Sequence, residues 1–342
     1  MQACDGKVLV AMSGGVDSAV AAAMLVEKGY EVIGAYLSMQ AHAGAEDASQ
    51  LAEALGIELV AVPASEAFEE IIRDFASEYA RGRTPNPCIH CNAKIKFAML
   101  IDVADSLGAR YVATGHHARL AWRDGSGAIL RCTDLGKDQS YALFALDRRL
   151  LGRILLPIGE LAGKSEVRRI ARRHGFGVHD KPDSQEICFA ADGGYADLLR
   201  QIAPEAMRKG DIIDSSGQVL GSHEGYGLFT IGQRRGIRLS AKHPLYVTRI
   251  DPVTATVTVG SREDLMATRL AASGANWHKD VDDRFRATVQ VRYNHEGASA
   301  TVEMIDEERF EVRFDRPVTA ITPGQAAVVY DGPQLLGGGW IE

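Results

Sequence analysis

An apolar run, KVLVAM at residues 7–12, ends abruptly in SGGVDS and passes into AVAAAMLVEK, a helix-forming stretch closed by Gly29. A strand with no polar face has to be covered on both sides, which ties it to a parallel sheet with helices above and below. The pattern continues: strand 31–37 (EVIGAYL), helix 45–55 closed by Gly56, strand 58–62, helices near 66–80 and 94–107, and strand 111–114. Strands alternating with helices of this length predict a doubly wound α/β domain whose ligands sit at the carboxyl ends of its strands. Residues 164–175 predict one more amphipathic helix. From about residue 211, short segments of alternating polarity (ATVQVRY, FEVRF) separated by turn residues predict a small β-rich central domain and then a barrel-like one. At 342 residues the chain is long for one core, and its domains are placed at 1–202, 203–269 and 270–342.

No apolar run nears the roughly 18 residues that span a bilayer. The N-terminus lacks the pattern of a secretion signal, so a cytoplasmic protein with no membrane partner is expected. Five cysteines, an odd number in a chain of this size, do not read as a disulfide framework. A net charge of −7 argues against a protein that simply coats nucleic acid. Basic residues nevertheless cluster at Arg148, Arg149 and Arg153, in 164–174 (KSEVRRIARRH) and in 233–242 (QRRGIRLSAK). Each cluster alone reads as a solvated face, and three together point to a polyanion.

The loop Ser13, Gly14, Gly15, Val16, Asp17 and Ser18 lies where backbone N–H groups and a helix dipole hold an anion. It has neither the GxxxxGK[ST] nor the GxGxxG order. A tight turn without ligand is the plain alternative. The loop resembles instead that of ATP pyrophosphatases, which split ATP into AMP and pyrophosphate to activate a carbonyl oxygen; Asp17 would orient either Mg²⁺ or the loop. Further along, TPNPCIHCN (84–92) carries two prolines and is expected to be a non-helical approach to the helix near Lys94. That puts Cys91 at a helix start with Lys94 and Lys96 close in sequence, conditions that lower a thiol pKa. Cys188, in DSQEICF, is the second thiol candidate, whereas Cys4 and Cys132 read as inert packing.

SGGVDS, TPNPCIHCNAKIKF, ATGHHAR, KDQSYAL and DSQEICF, in this order, resemble the tRNA-specific 2-thiouridylase family. GQRRG and VRY carry the resemblance through the β-rich half, so that it covers essentially the whole chain. It implies an ATP-dependent sulfurtransferase that adenylates the C2 oxygen of the wobble uridine of tRNA and replaces it with sulfur. The sulfur would arrive as a persulfide from a cysteine desulfurase or a sulfur-relay protein, and the chain would act as a monomer. ATP, with Mg²⁺, would be bound by Ala11, Met12, Ser13, Gly14, Gly15, Val16, Asp17, Ser18, Leu37 and Gly115. Asn86, Pro87 and Cys88 would line the target base, with His116, Lys137, Asp138, Gln139, Arg292, Tyr293 and Gln325 contacting tRNA. Cys188 would carry the persulfide and Cys91 would act as the nucleophile, ending as a Cys91–Cys188 disulfide, with Asp17 the third catalytic residue. Ordinary roles stay open beside these: a turn cap for Asp138, a half-buried strand position for Tyr293, a satisfied histidine for His116.

Two features depart from the family pattern. Segment 38–46 (SMQAHAGAE) is short, with Leu37 where Met is common, and Cys88 stands where many members have Asp. Cys88, Cys91 and Cys188 therefore offer an alternative route, three thiols around a [4Fe–4S] cluster with one iron open to sulfide. Zinc lacks a fourth ligand unless His90 serves. Rival readings are another ATP pyrophosphatase fed by ammonia, a tRNA-binding protein without catalysis, and a redox sensor built on Cys88 and Cys91.

Overall fold

Strand β1 (Lys7–Ala11) buries Val8, Leu9 and Val10 completely, as a strand with parallel neighbours on both edges and covered faces must. There follow α1 (Val16–Glu27), β2 (Glu31–Ser38), α2 (Ala45–Leu55), β3 (Glu58–Pro63), α3 (Ser65–Ala80) and α4 (Pro87–Cys91). A π-helical stretch, Asn92–Met99, joins α4 to α5 (Leu100–Ser106), and β4 (Tyr111–Ala113), β5 (Ala118–Arg123), β6 (Ser126–Arg131), β7 (Ile154–Leu155) and α6 (Lys164–Arg173) come next. The computed structural model describes residues 6–39, 44–123, 126–180, 187–189 and 194–342. They form two units: Met1–Glu69, Cys88–Asp183 and Pro333–Leu336 in one; Glu70–Pro87, Ser184–Gly332 and Gly337–Glu342 in the other.

The first unit is built on a parallel sheet in the order β3-β2-β1-β4-β7. Its connections reverse direction between β1 and β4, and a crevice opens there at the carboxyl ends of the strands. Ala19, Ala21, Ala22 and Ala23 of α1 are wholly buried, and their small side chains let the helix lie close to the sheet. Helix α6 adds Val167, Ile170 and Ala171 to the same core, the i, i+3, i+4 stripe of an amphipathic helix.

Sequence and structure differ in five places here. Helix α1 starts at Val16, so Asp17 and Ser18 form its first turn. The approach segment expected to be non-helical winds into α4 from Pro87, because proline at the first helical position gives up an N–H that has no partner there anyway. Strand β7 and the β5–β6 hairpin, in which Ala118 pairs with Arg131, were not anticipated. The helix expected at 94–107 is interrupted by the π-helical stretch. Asn92 and Phe97, and Ile95 and Leu100, are buried pairs five residues apart, a spacing that i→i+5 winding brings nearer to one line.

In the second unit, α7 (Gly194–Ile202) precedes β8 (Gly210–Ile213), β9 (Val219–His223), β10 (Tyr246–Asp251) and β11 (Thr256–Gly260), a sheet ordered β10-β11-β8-β9. Its core gathers Phe75 and Tyr79 of α3, Leu199 of α7, Phe229, Val247 and Val257. The last six strands are β12 (Met266–Trp277), β13 (Arg284–Gln290), β14 (Ala298–Met304), β15 (Arg309–Thr319), β16 (Ala326–Asp331) and β17 (Gln334–Ile341). They run in the order β12-β15-β14-β13-β16-β17 and close where Trp277 of β12 meets Gly337 of β17. Closure removes the exposed edges of the sheet. Along β15, Phe310, Val312 and Phe314 point inward between exposed Glu311 and Arg313. Among the described residues no helix is long and apolar enough to cross a membrane.

Gly159, after β7, approaches the start of β5 so closely that a Cβ there would lie 1.8 Å from Ala118 O. Gly159→Ala is expected to destabilise the protein by about 2 kcal/mol or more, read as a lower urea midpoint at unchanged slope. An unmoved midpoint would show that the contact has room to relax.

Candidate active site

The chain turns from β1 into α1 through Ser13, Gly14 and Gly15. Gly14 has φ +76°, and a Cβ there would lie 2.7 Å from both Gly44 O and Asp47 Cβ, so glycine is required for conformation and for space. Ser18 ties the loop together: its hydroxyl accepts from the Ser13 N–H at 3.2 Å and donates to Gly15 O at 3.0 Å. No side chain caps α1, which leaves its first N–H groups for an anion. Of the other residues expected at ATP, Leu37 is buried near the end of β2, opposite Val62, while residues 40–43 of the short segment lie outside the described residues. Gly115 leaves β4 against the start of α1, where a Cβ would lie 2.6 Å from Asp17 C and 2.7 Å from Ser18 N.

Asp17 is held from two sides. Lys164 Nζ, at the start of α6, donates to Oδ2 at 2.6 Å, and His117 Nε2 donates to Oδ1 at 3.1 Å. Burial, the largest influence on this carboxyl, pushes its pKa up, but the hydrogen bonds and charges of His117 and Lys164 outweigh it and the net shift is downward. Of the two tasks open to Asp17, holding a divalent cation does not fit this arrangement, since both oxygens are engaged and one faces an ammonium. Neither His117 nor Lys164 was singled out from the sequence. His117 had one signal, its place just after a strand end at the point where the sheet reverses; Lys164 had none beyond belonging to a basic run.

The residues after β4 bind a second expected segment. The Gln139 side chain accepts from the His117 N–H at 2.9 Å, and the Gln139 N–H donates to His117 O at 2.8 Å. His116 is buried, lies 2.8 Å from Thr114 Oγ1 through Nδ1, and stacks on Phe97 of the π-helical stretch at 5.8 Å. Burial first, then the nearby Lys96 and His117, push its pKa down to about 3, so the ring is neutral. Asp138 directs its carboxylate inward, to Arg131 at 3.1 Å, the Cys132 N–H at 3.0 Å and the Ser140 hydroxyl at 2.8 Å. Lys137 beside it is half-buried. Cys132 donates to Asp134 O, and its thiol is pushed up to about 11 by burial and by Asp138 and Asp134. Cys4 lies outside the described residues.

With the helix starting at Pro87, Cys88 sits exposed in its first turn and Cys91 is buried at the end of α4. Asn92, next to Cys91, donates from Nδ2 to Ala142 O at 3.0 Å and so ties this helix to the turn after Gln139. The structure thus joins the phosphate loop, His116 and His117, Gln139 and the cysteine helix within one unit. The remaining expected residues belong to the other unit. There, Asn86 is half-buried and Pro87 buried, and Gln325 Nε2 donates to Thr84 O at 2.8 Å, holding the segment just before Asn86. Gln290 Nε2 donates to Arg292 O at 3.1 Å and Tyr293 O at 2.8 Å, so both of those side chains are presented outward. Cys188 is exposed, beside Phe189, which packs edge-on to Phe75 at 5.1 Å; Asp183 to Glu186 lie outside the described residues. Among the described residues no three His, Cys, Asp or Glu side chains are gathered so as to hold a metal ion.

An anion-binding loop at the reversal point of a five-stranded parallel sheet defines a nucleotide-binding α/β domain. Residues 6–192 match the model described as the tRNA methyl transferase HUP domain, 196–261 the tRNA methyl transferase PRC-barrel domain, and 267–341 the aminomethyltransferase beta-barrel domain. The tRNA-specific 2-thiouridylase MnmA of Carboxydothermus hydrogenoformans is 44% identical over 98% of this chain and 97% of its own length. The protein of that name from Acidithiobacillus ferrooxidans is 43% identical over 99% of each chain. The chain belongs to the tRNA-specific 2-thiouridylase family.

Two outcomes follow. Gly115→Ala should displace the start of α1 and lower ATP turnover on the order of a hundredfold while the protein stays folded; activity within twofold of the parent would dismiss the close approach as unimportant. His116, neutral when buried, takes up a proton on unfolding below its ordinary pKa of 6.5. Its contribution to stability is therefore whole above pH 6.5 and is lost as pH falls toward about 3. His116→Gln should flatten the acid-side fall of the unfolding midpoint, and an identical slope in the two proteins would refute the assignment.

Proposed function

We propose that the chain is an ATP-dependent tRNA-uridine 2-sulfurtransferase. The observation that carries this reading is the full-length kinship with 2-thiouridylases, in a chain that keeps the phosphate loop with Asp17 clamped beside it. ATP binds with its phosphates on the loop and the first N–H groups of α1, and Mg²⁺ accompanies it as the counter-ion of the phosphates. The uridine C2 oxygen attacks the α-phosphorus, the O–P bond forms and pyrophosphate leaves. Lys164 lies beside the loop, where its ammonium offsets the charge that builds on the leaving group.

In the second half, the outer sulfur of a Cys188 persulfide attacks C2, and the C2–O bond breaks as AMP departs. Cys91 then attacks the Cys188 sulfur; a Cys91–Cys188 disulfide forms, the sulfur stays on the base, and an external reductant resets the thiols. Asn86, Pro87 and Cys88 line the base, with His116, Lys137, Asp138 and Gln139 on the tRNA side and Arg292, Tyr293 and Gln325 in the barrel domain. We read the division of labour as 1–202 for adenylation and sulfur transfer, 203–269 as the central domain and 270–342 as the tRNA-contacting barrel. The enzyme acts as a cytoplasmic monomer that receives its sulfur from a desulfurase or relay protein.

Lys164→Ala should lower tRNA-dependent pyrophosphate release on the order of a hundredfold. Cys91→Ser and Cys188→Ser should each abolish 2-thiouridine while pyrophosphate release continues. Full thiolation by the double serine variant would overturn the thiol route. Because Cys88, Cys91 and Cys188 are also the thiols an open cluster would use, protein purified without oxygen should contain no stoichiometric iron or sulfide. A full complement of both, needed for activity, would replace the persulfide route with the cluster.

A further inference from the structure

Given the RNA substrate proposed above, the cations that grip its phosphates are those the protein does not already balance. Two of the three basic clusters are balanced. Arg149 pairs with Asp147 at 2.5 Å and Arg153 with Asp105 at 2.6 Å. On α6, Arg169 pairs with Glu166, Arg172 with Asp180, and Arg173 with Glu27.

The third cluster differs. Residues 225–250 contain no Asp or Glu, yet they carry Arg234, Arg235, Arg238, Lys242 and Arg249, in a chain whose net charge is −7. Arg249 has Asp251 at 3.7 Å, and Glu224, the acid whose charge Arg238 feels, is already paired with Lys209 at 2.6 Å. Among the described residues neither the Arg234 nor the Arg235 guanidinium has a carboxylate partner, and both side chains are exposed.

The loop that carries them is built to hold its shape. Gln233 accepts from the Thr230 N–H through Oε1 at 3.0 Å and donates through Nε2 to Arg235 O at 2.9 Å, while its own carbonyl receives the Val247 N–H of β10 at 2.9 Å. Ile237 is buried in the core of this unit, and Leu239 fills the space over Gly221 of β9. Between those two anchors Arg238 is held at φ +59°, a conformation few L residues adopt, with its side chain outside. Pinned backbone with unpaired guanidinium groups suits a polyanion, because little further ordering is needed on binding and arginine forks match phosphate oxygens.

We propose that the 233–242 loop is the principal phosphate-gripping surface for the tRNA backbone, with Arg234 and Arg235 as the contacts and Arg238 and Lys242 strengthening the field. The test measures the Kd of the full-length protein for unmodified tRNA between 50 mM and 300 mM salt. Replacing Arg234 and Arg235 together by Ala should lower the slope of log K against log salt by about 1.4 to 1.8 and weaken binding on the order of thirtyfold at 0.1 M salt. The pair Arg234→Lys and Arg235→Lys should restore the slope, which loss of fold would not allow. Arg169→Ala with Arg173→Ala on α6 should leave the slope as in the parent. A parent slope retained by the Arg234 and Arg235 alanine variant, or an equal fall in the α6 variant, overturns this assignment alone. Failure of the parent to bind tRNA overturns the RNA reading on which it rests.

Discussion

The ion pair between Asp17 and Lys164, with His117 closing the other side, is the contact on which the first unit's chemistry depends. A half-buried carboxylate is held in place when its charge is met, and here the partners come from two elements remote in sequence. They converge because β1 and β4 are neighbours in the sheet, Val10 opposite Ala113, so the turns that leave them open into one crevice. The clamp therefore couples the start of α1, the exit of β4 and the start of α6. Any shift in one of them changes the charge seen by an anion in the loop.

A second tier of hydrogen bonds extends this coupling to the thiols. His117 is locked by two bonds to Gln139, and the turn that follows Gln139 accepts from Asn92, the neighbour of Cys91. Phe97 on the same helix lies under His116. The cysteine helix is thus positioned by polar contacts to loops and not only by apolar packing, and polar contacts specify distance and direction more narrowly.

Much of this was legible in the sequence. Wholly apolar strands alternating with helices leave few alternatives to a covered parallel sheet, and the alternating residues of β15 announce a surface with two unlike faces. Local patterns failed where one residue type serves two purposes. Proline at position 87 looks like a helix breaker and is a helix starter. Strand β7 has two residues, too few for any periodicity. Charge clusters overstated the free cation count, because pairing partners such as Glu27 and Asp105 lie far away in sequence. For the site, Asp17 was visible through its motif, whereas Lys164 is one basic residue among many until the fold brings it to a carboxylate.

The stretch Asn92–Met99 winds with one residue more per closed ring than the α-helical segments on either side. Which way Cys91 faces relative to α5 is therefore a matter of counting: each residue in a regular helix turns the chain by about 100°. Exchanges of side chain within this span leave that bearing intact, but loss of a single residue would wind the span back to regular pitch and swing the thiol to another side of the helix. Relatives should accordingly tolerate neither an added nor a lost residue here.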